Sequence, residues 1–145
     1  VASGVFPAAG VPKRRNNQTP FSSEVAMLVK KLGDVRPIEA GDLTVLRELL
    51  HPDHDPIEVR YSLAHAEIEA GRSSRPHRLG SVEVYYFLSG AGVIHVGDES
   101  TAVEAGAVVV VPARATQWVE NAGEGRLVFL CIVDPAWQEA EEEIL

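Results

Sequence analysis

The sequence predicts an all-β protein, an antiparallel sandwich or barrel. Three observations carry that reading. Short runs rich in Val, Ile, Tyr and Phe recur from residue 58 to residue 133. Glycine-containing turns break those runs every eight to twelve residues, the spacing of sandwiches and barrels. No long helical pattern separates one run from the next, as an α/β fold would require.

The elements follow in order. Residues 1–22 hold three prolines and a polar run at 13–19, with no period of 2 or 3.6, and are expected to form a flexible tail. Residues 23–57 are expected to supply N-terminal strands and a loop that pack on the main fold. A strand is expected at 27–31, a loop at 34–42 around Pro37 and Gly41, and a strand at 43–50. His51-Pro52-Asp53-His54-Asp55-Pro56 reads as a polar turn, because two prolines exclude a central strand or a helix. Its histidines and aspartates suit a solvated turn better than a metal site. Strands are then expected at 58–69, 75–79, 83–88, 93–96, 101–104, 107–111, 116–121 and 127–133. Pro135 ends the series, and the acidic run at 136–145 is expected to be a short helix.

The 145 residues suit one domain with one core. The formal net charge of −8 argues against a nucleic-acid surface, which needs a basic stripe, and against docking on anionic lipid. No apolar run reaches the roughly 18 residues of a membrane helix. The single cysteine, Cys131, sits in LVFLCIVD and reads as a buried, inert thiol. A reducing cytoplasm is the expected compartment.

His77, Leu79, Glu83, Tyr85 and Phe87 share parity. On one straight strand His77 and Glu83 would stand about 20 Å apart and never meet. Gly80-Ser81 is expected to turn the two pieces into adjacent antiparallel strands, so that both side chains face one interior lined by Leu79, Tyr85, Phe87 and valines of 107–111. A carboxylate buried there without a partner costs several kcal/mol, of the order of a few, or takes up a proton. Three arrangements relieve that cost. One is a metal held by His77, Glu83 and a third group. Another is a His77–Glu83 pair available for proton transfer. The last is a structural network of Glu83, Gln117 and Tyr85.

Two stretches resemble the two motifs of the cupin superfamily. The first family motif runs glycine, five residues, His-x-His, three or four residues, Glu, six residues, Gly. Here Gly71, His77, Leu79, Glu83 and Gly90 fall on those positions. The second runs glycine, five residues, Pro-x-Gly, two residues, His, three residues, Asn. Here Gly106, Pro112, Arg114, Gln117 and Asn121 fall on those. The family's usual metal ligands are three histidines and a glutamate. This chain keeps His77 and Glu83, with Leu79 at the second histidine, Gln117 at the third, and Arg114 at a glycine.

The resemblance implies a single antiparallel cupin-type, jelly-roll-like β-barrel over residues 58–135, often dimeric, with the site inside. By that resemblance His77, Glu83 and Gln117 are the expected metal ligands; Glu83 or Tyr85, which follows Glu83 with its parity, is expected to assist proton transfer as the catalytic group. One imidazole, one carboxylate and one amide oxygen suit a divalent ion such as Mn, Fe, Ni or Zn. His65 is a further candidate ligand, set against the opposite parity of Ser62, Ala64 and Ala66. His95 alternates against Ile94 and Val96 and is expected to face out. Arg75 and Arg78 flank His77 as rim residues that could guide an anionic substrate. Trp118 and Trp137 read as packing or dimer contacts. The expected function is metal-dependent chemistry on a small polar or anionic metabolite. Proton transfer of the isomerase or lyase type is favoured over a dioxygenase reaction, because two family histidines are absent. The competing expectation is a cupin that binds a small ligand without metal or turnover.

Overall fold

The computed structural model describes residues 27–145. The expected tail at 1–22 lies outside the described residues. Eleven strands run through the rest: β1 (Ile38–Glu39), β2 (Val45–Leu50), β3 (Ser62–Ile68), β4 (His77–Leu79), β5 (Val82–Ser89), β6 (Ala91–Val96), β7 (Glu99–Glu104), β8 (Val108–Val111), β9 (Gln117–Glu120), β10 (Leu127–Asp134) and β11 (Glu142–Ile144). They form two antiparallel sheets. One has the order β1-β2-β3-β10-β5-β8, the other β11-β4-β9-β6-β7.

From β3 onward the chain changes sheet at nearly every connection, and the β6–β7 hairpin is the exception. This is a jelly-roll-like route. The sheets face each other and do not close into the single barrel expected. The chain passes from one sheet to the other at the corners, where Gly80-Ser81 and Gly90 turn it, so no ladder runs from one sheet into the next.

Between the sheets lies a core in which Phe87, Phe129, Ile94, Leu127, Val111 and Val119 are almost wholly buried. These positions follow the period of 2, with alternation most regular in β10. Phe129 packs its ring against Tyr85 and Phe87, each with centroids 5.4 Å away, and so fixes the inner face of β5. Asn121, at the end of the second motif, is a structural pin. Its amide donates to the carbonyls of Ile68 and Gly125, both at 2.8 Å, and its oxygen accepts from the Gly123 N–H at 3.0 Å.

Two expected elements differ. Residues 27–31 form no strand and lead into a 3-10 turn, Leu32–Asp34. Met27 and Val29 are exposed, so the apolar run has no sheet face to pack on. The expected C-terminal helix is only a 3-10 turn, Glu139–Glu141, followed by β11. Four glutamates crowd residues 139–143, and like charges at helical spacing oppose a helix. Pairing with the free edge of β4 satisfies the backbone instead. No helix among the described residues is long and apolar enough to cross a membrane.

Gly90 marks the tightest sheet change. Its φ is +85°, and a Cβ there would stand 2.5 Å from the carbonyl oxygen of Arg126. Gly97 has φ +58° but open space around it. Gly97→Ala should therefore cost only left-handed strain, about 1–2 kcal/mol. Gly90→Ala should add a backbone clash and cost roughly 3 kcal/mol or more. Urea unfolding of both variants checks the difference, and equal losses would refute it.

Candidate functional site

Strand β4 is only three residues long, yet it is held from both edges. β11 pairs with it along its length, and β9 pairs through His77 opposite Gln117. Outside the strand, the Arg75 N–H donates to the Asp42 carbonyl at 2.8 Å, and the Arg114 N–H donates to the Leu79 carbonyl at 2.8 Å. Arg114 occupies the family's glycine position with φ +68°, a conformation that glycine adopts without strain. The burial of β4 alternates, with His77 and Leu79 inside and Arg78 outside.

β4 and β5 are not hairpin neighbours, as expected from Gly80-Ser81. They lie in opposite sheets. Glycine and serine make a corner across the sandwich rather than a tight two-residue loop, because β4 spends both of its edges on β9 and β11. His77 and Glu83 still meet one interior, now from its two walls.

The His77 ring donates from Nδ1 to the Arg75 carbonyl at 2.8 Å. That bond fixes the tautomer and leaves Nε2 with the free lone pair. Glu83 is 5% exposed. Its Oε2 accepts from the Gln117 amide at 2.8 Å and from the Tyr85 hydroxyl at 3.4 Å. Burial pushes the Glu83 carboxyl above the usual carboxylate range. His77, the Cys131 thiol and Gln117 offset part of that rise, and the charge of Asp42 adds to it. Burial raises the Tyr85 hydroxyl and the Cys131 thiol well above their ordinary values, and the nearby Glu83 raises both further. Tyr85 therefore keeps its proton, and Cys131 stays an unreactive thiol.

Gln117 is 1% exposed and spends its amide N–H on Glu83, while its Oε1 is buried with no hydrogen-bond partner. An unmet buried acceptor costs about 1–3 kcal/mol. This orphan oxygen is the test of whether the side chains suit a metal. It belongs to the side chain that donates to Glu83 and pairs across the ladder with His77. The three supply one oxygen of an amide, one of a carboxylate and one imidazole nitrogen, a set that fits a divalent ion.

Beside these residues is a cavity of about 360 Å3. It exists because β3 turns its small side chains, Ser62, Ala64 and Ala66, toward His77 and Leu79 and leaves the space unfilled. Tyr85, Phe129, Cys131 and Trp137 also line it, whereas Phe87, Val109 and Val111 belong to the core. Sequence reasoning missed two polar walls. Asp42 is buried, with its carboxylate accepting from the Thr44 N–H at 3.1 Å and the Thr44 hydroxyl at 2.7 Å. Its signal was the Asp-x-Thr spacing of an Asx-type turn, which says nothing about the partner across space. Glu142 was hidden by the reading of 136–145 as a helix. Burial raises its carboxyl above the ordinary range.

Other candidates fall elsewhere. His65 faces away from the cavity, between Arg47 and Leu130 on the outer side of its sheet, so it does not replace the missing ligand. His95 stacks on Trp118 with centroids 4.2 Å apart and bonds to Ser100. Arg78 donates to Thr116 at 2.9 Å and lies near Glu143, and Arg75 is exposed. Neither arginine lines the cavity. Among the described residues, donor atoms of Glu48, His51 and His54 come close enough together to hold an ion. His51, however, already donates from Nε2 to the Trp137 carbonyl at 2.8 Å and accepts at Nδ1 from the Asp53 N–H at 3.1 Å. An ion there would have to displace those bonds.

Comparison with known proteins gives one answer. The family profile described as Cupin domain matches residues 64–133. An uncharacterized protein of Methanocaldococcus jannaschii is 32% identical over 112 residues, covering 77% of this chain and 89% of the relative. A predicted oxalate decarboxylase from Thermotoga maritima superposes with a TM-score of 0.66 at 23% identity, covering 74% of this chain and 99% of that one. A Cupin 2 conserved barrel domain protein from Salinispora arenicola gives 0.63 at 17%, covering 80% and 92%. Oxalate decarboxylase of Bacillus subtilis, an enzyme with Mn(II) centres, gives 0.68 at 24% and is covered over 31% of its length. These structural likenesses speak for the fold.

The raised Glu83 carboxyl has a consequence for stability. Its folded value lies above its unfolded value, so the stability it contributes is complete below about pH 4.5 and is lost as pH rises through the folded value. Glu83→Gln keeps the shape and removes the titration. In the presence of a chelator, the variant should gain stability relative to the parent as pH rises toward 8. Urea unfolding across that range checks it, and a gap that stays constant would refute it.

Proposed function

The chain belongs to the cupin superfamily, and from that premise we propose a metal-dependent enzyme that works on a small polar metabolite by proton transfer. The observation that carries the proposal is the buried, unpartnered Oε1 of Gln117 beside Glu83 and His77. His77 through Nε2, Gln117 through Oε1 and Glu83 would hold the ion, one of Mn, Fe, Ni or Zn. When bound, such an ion supplies Lewis-acid polarisation of a substrate oxygen.

The chain's own groups do the rest. The Arg75 carbonyl orients the His77 ring. Gln117 and Tyr85 fix one oxygen of the Glu83 carboxyl, which leaves the other free of those bonds to take or return a proton. Tyr85, protonated and braced by Phe129, keeps its hydroxyl aimed at that carboxyl. The apolar walls around them keep water away and strengthen each polar contact. Proton transfer is preferred to oxygen chemistry because the inward position of the family's second histidine carries apolar Leu79.

A second reading has its own support. The Gln117–Glu83 bond satisfies the carboxyl without an ion, so the cavity can serve as a metal-free binding pocket. Either way, the reading includes a cytoplasmic homodimer. Leu130, Tyr86 and Val108 form one row, and Ile132, Val84 and Val110 the next, across the outer face of their sheet. Val108 and Val110 are more than half exposed, and apolar faces of this kind commonly pair.

Elemental mass spectrometry before and after chelation tests the metal. About one ion per chain is expected, and removing it should lower the Tm, because an ion that binds only the folded chain stabilises it. Gln117→Leu should lose the ion and, because it also strips Glu83 of its closest donor, lower the Tm of the chelated protein. Leu79→His, which restores a donor facing His77's side of the cavity, should tighten binding by roughly 10-fold or more. No metal, and no Tm response to Mn, Fe, Ni or Zn, would leave the binding reading in place. Light scattering checks the dimer, with Tyr86→Lys expected to give monomers.

A further inference from the structure

The cavity has a one-sided charge. Among the described residues, Glu39, Asp42, Glu48, Glu83, Glu139 and Glu142 line it, and no lysine or arginine does. His77 is the one basic side chain on its wall among the described residues. Glu48 has an external partner, with His54 bonding to it at 2.6 Å. Asp42 has only its own turn and the His77 ring, 3.9 Å away. The arginines nearest in sequence are turned outward, Arg78 to Thr116 and Glu143. The remaining wall is apolar and aromatic, from Tyr85, Phe129 and Trp137.

We infer that the cavity takes a small organic cation, an amine carrying an apolar or aromatic arm, rather than a carboxylate or phosphate. The ammonium sits by Asp42 and Glu142, where its charge and its N–H donors meet acceptors. The arm lies against Tyr85, Phe129 and Trp137, whose ring faces also attract a cation. An anion would enter a site whose fixed charges repel it, with no arginine or lysine among the described residues to receive it. A divalent ion at His77, Glu83 and Gln117 cancels two charges and leaves the mouth acidic, so the preference holds with or without it. The inference rests on the reading of the cavity as a small-molecule site and not on the metal.

Three probes of one shape test it: 2-phenylethylamine, 2-phenylethanol and 3-phenylpropionate. Calorimetric titration of each into the full chain, with chelator and again with Mn, gives the order. The amine is expected to bind at least tenfold tighter than the carboxylate in both states, with the alcohol between. Glu142→Gln and Asp42→Asn should each shrink the amine's advantage several-fold, while Glu142→Gln leaves metal content unchanged. Equal or tighter binding of the carboxylate would overturn the charge assignment and leave the pocket itself standing. An amine preference untouched by both substitutions would place binding elsewhere and overturn it too. Failure of all three probes to bind would overturn it together with the small-molecule reading.

Discussion

The Glu83–Gln117 hydrogen bond joins the two sheets from inside. Glu83 stands on β5 and Gln117 on β9, strands of opposite sheets, and 2.8 Å separates donor from acceptor. A carboxyl this deep is tolerated only with a donor, since removing it from water is costly. The donor in turn has to be held, and Gln117 is held by pairing with His77 on one side and Val96 on the other. The short strand β4 can present His77 only because β11 and β9 bracket it. Each part of the site is thus a condition for the next.

Most of the fold could be read from the sequence, because it rests on period-2 burial and turn chemistry. Residues 127–133 alternate as expected, and Gly90 turns where a glycine turn was expected. Where reading failed, the cause was pairing over distance. Alternation shows that His77 and Glu83 face an interior, but not that β4 and β5 belong to different sheets. Nothing local in residues 142–144 announces that they will complete the edge of β4. The expected helix there lost to an unsatisfied strand edge some sixty residues earlier, a competition settled by tertiary structure.

The site divides in the same way. Glu83 is hydrogen-bonded to Gln117 and Tyr85, and His77 pairs with Gln117, a proximity that motif spacing and strand parity made legible, and the outward parity of His65 followed from its small neighbours. Asp42 and Glu142 were beyond reach, since one lies before the motifs and the other after them, and neither has a pattern of its own. Their charge changes the chemistry most, turning a pocket flanked in sequence by arginines into an acidic one.

The cavity is walled largely from outside the segment that matches the family. Ile38, Asp42, Leu46, Trp137 and Glu142 all lie before residue 64 or after residue 133. The segment that carries the family signature and the segments that supply much of the cavity wall are therefore partly separable. Substitutions in the flanks can change the shape and charge of the cavity wall while the core between the sheets keeps its residues. Two proteins that share every motif position with this one can thus differ in what they bind, and kinship in the centre of the chain is a poor guide to diet at its edges.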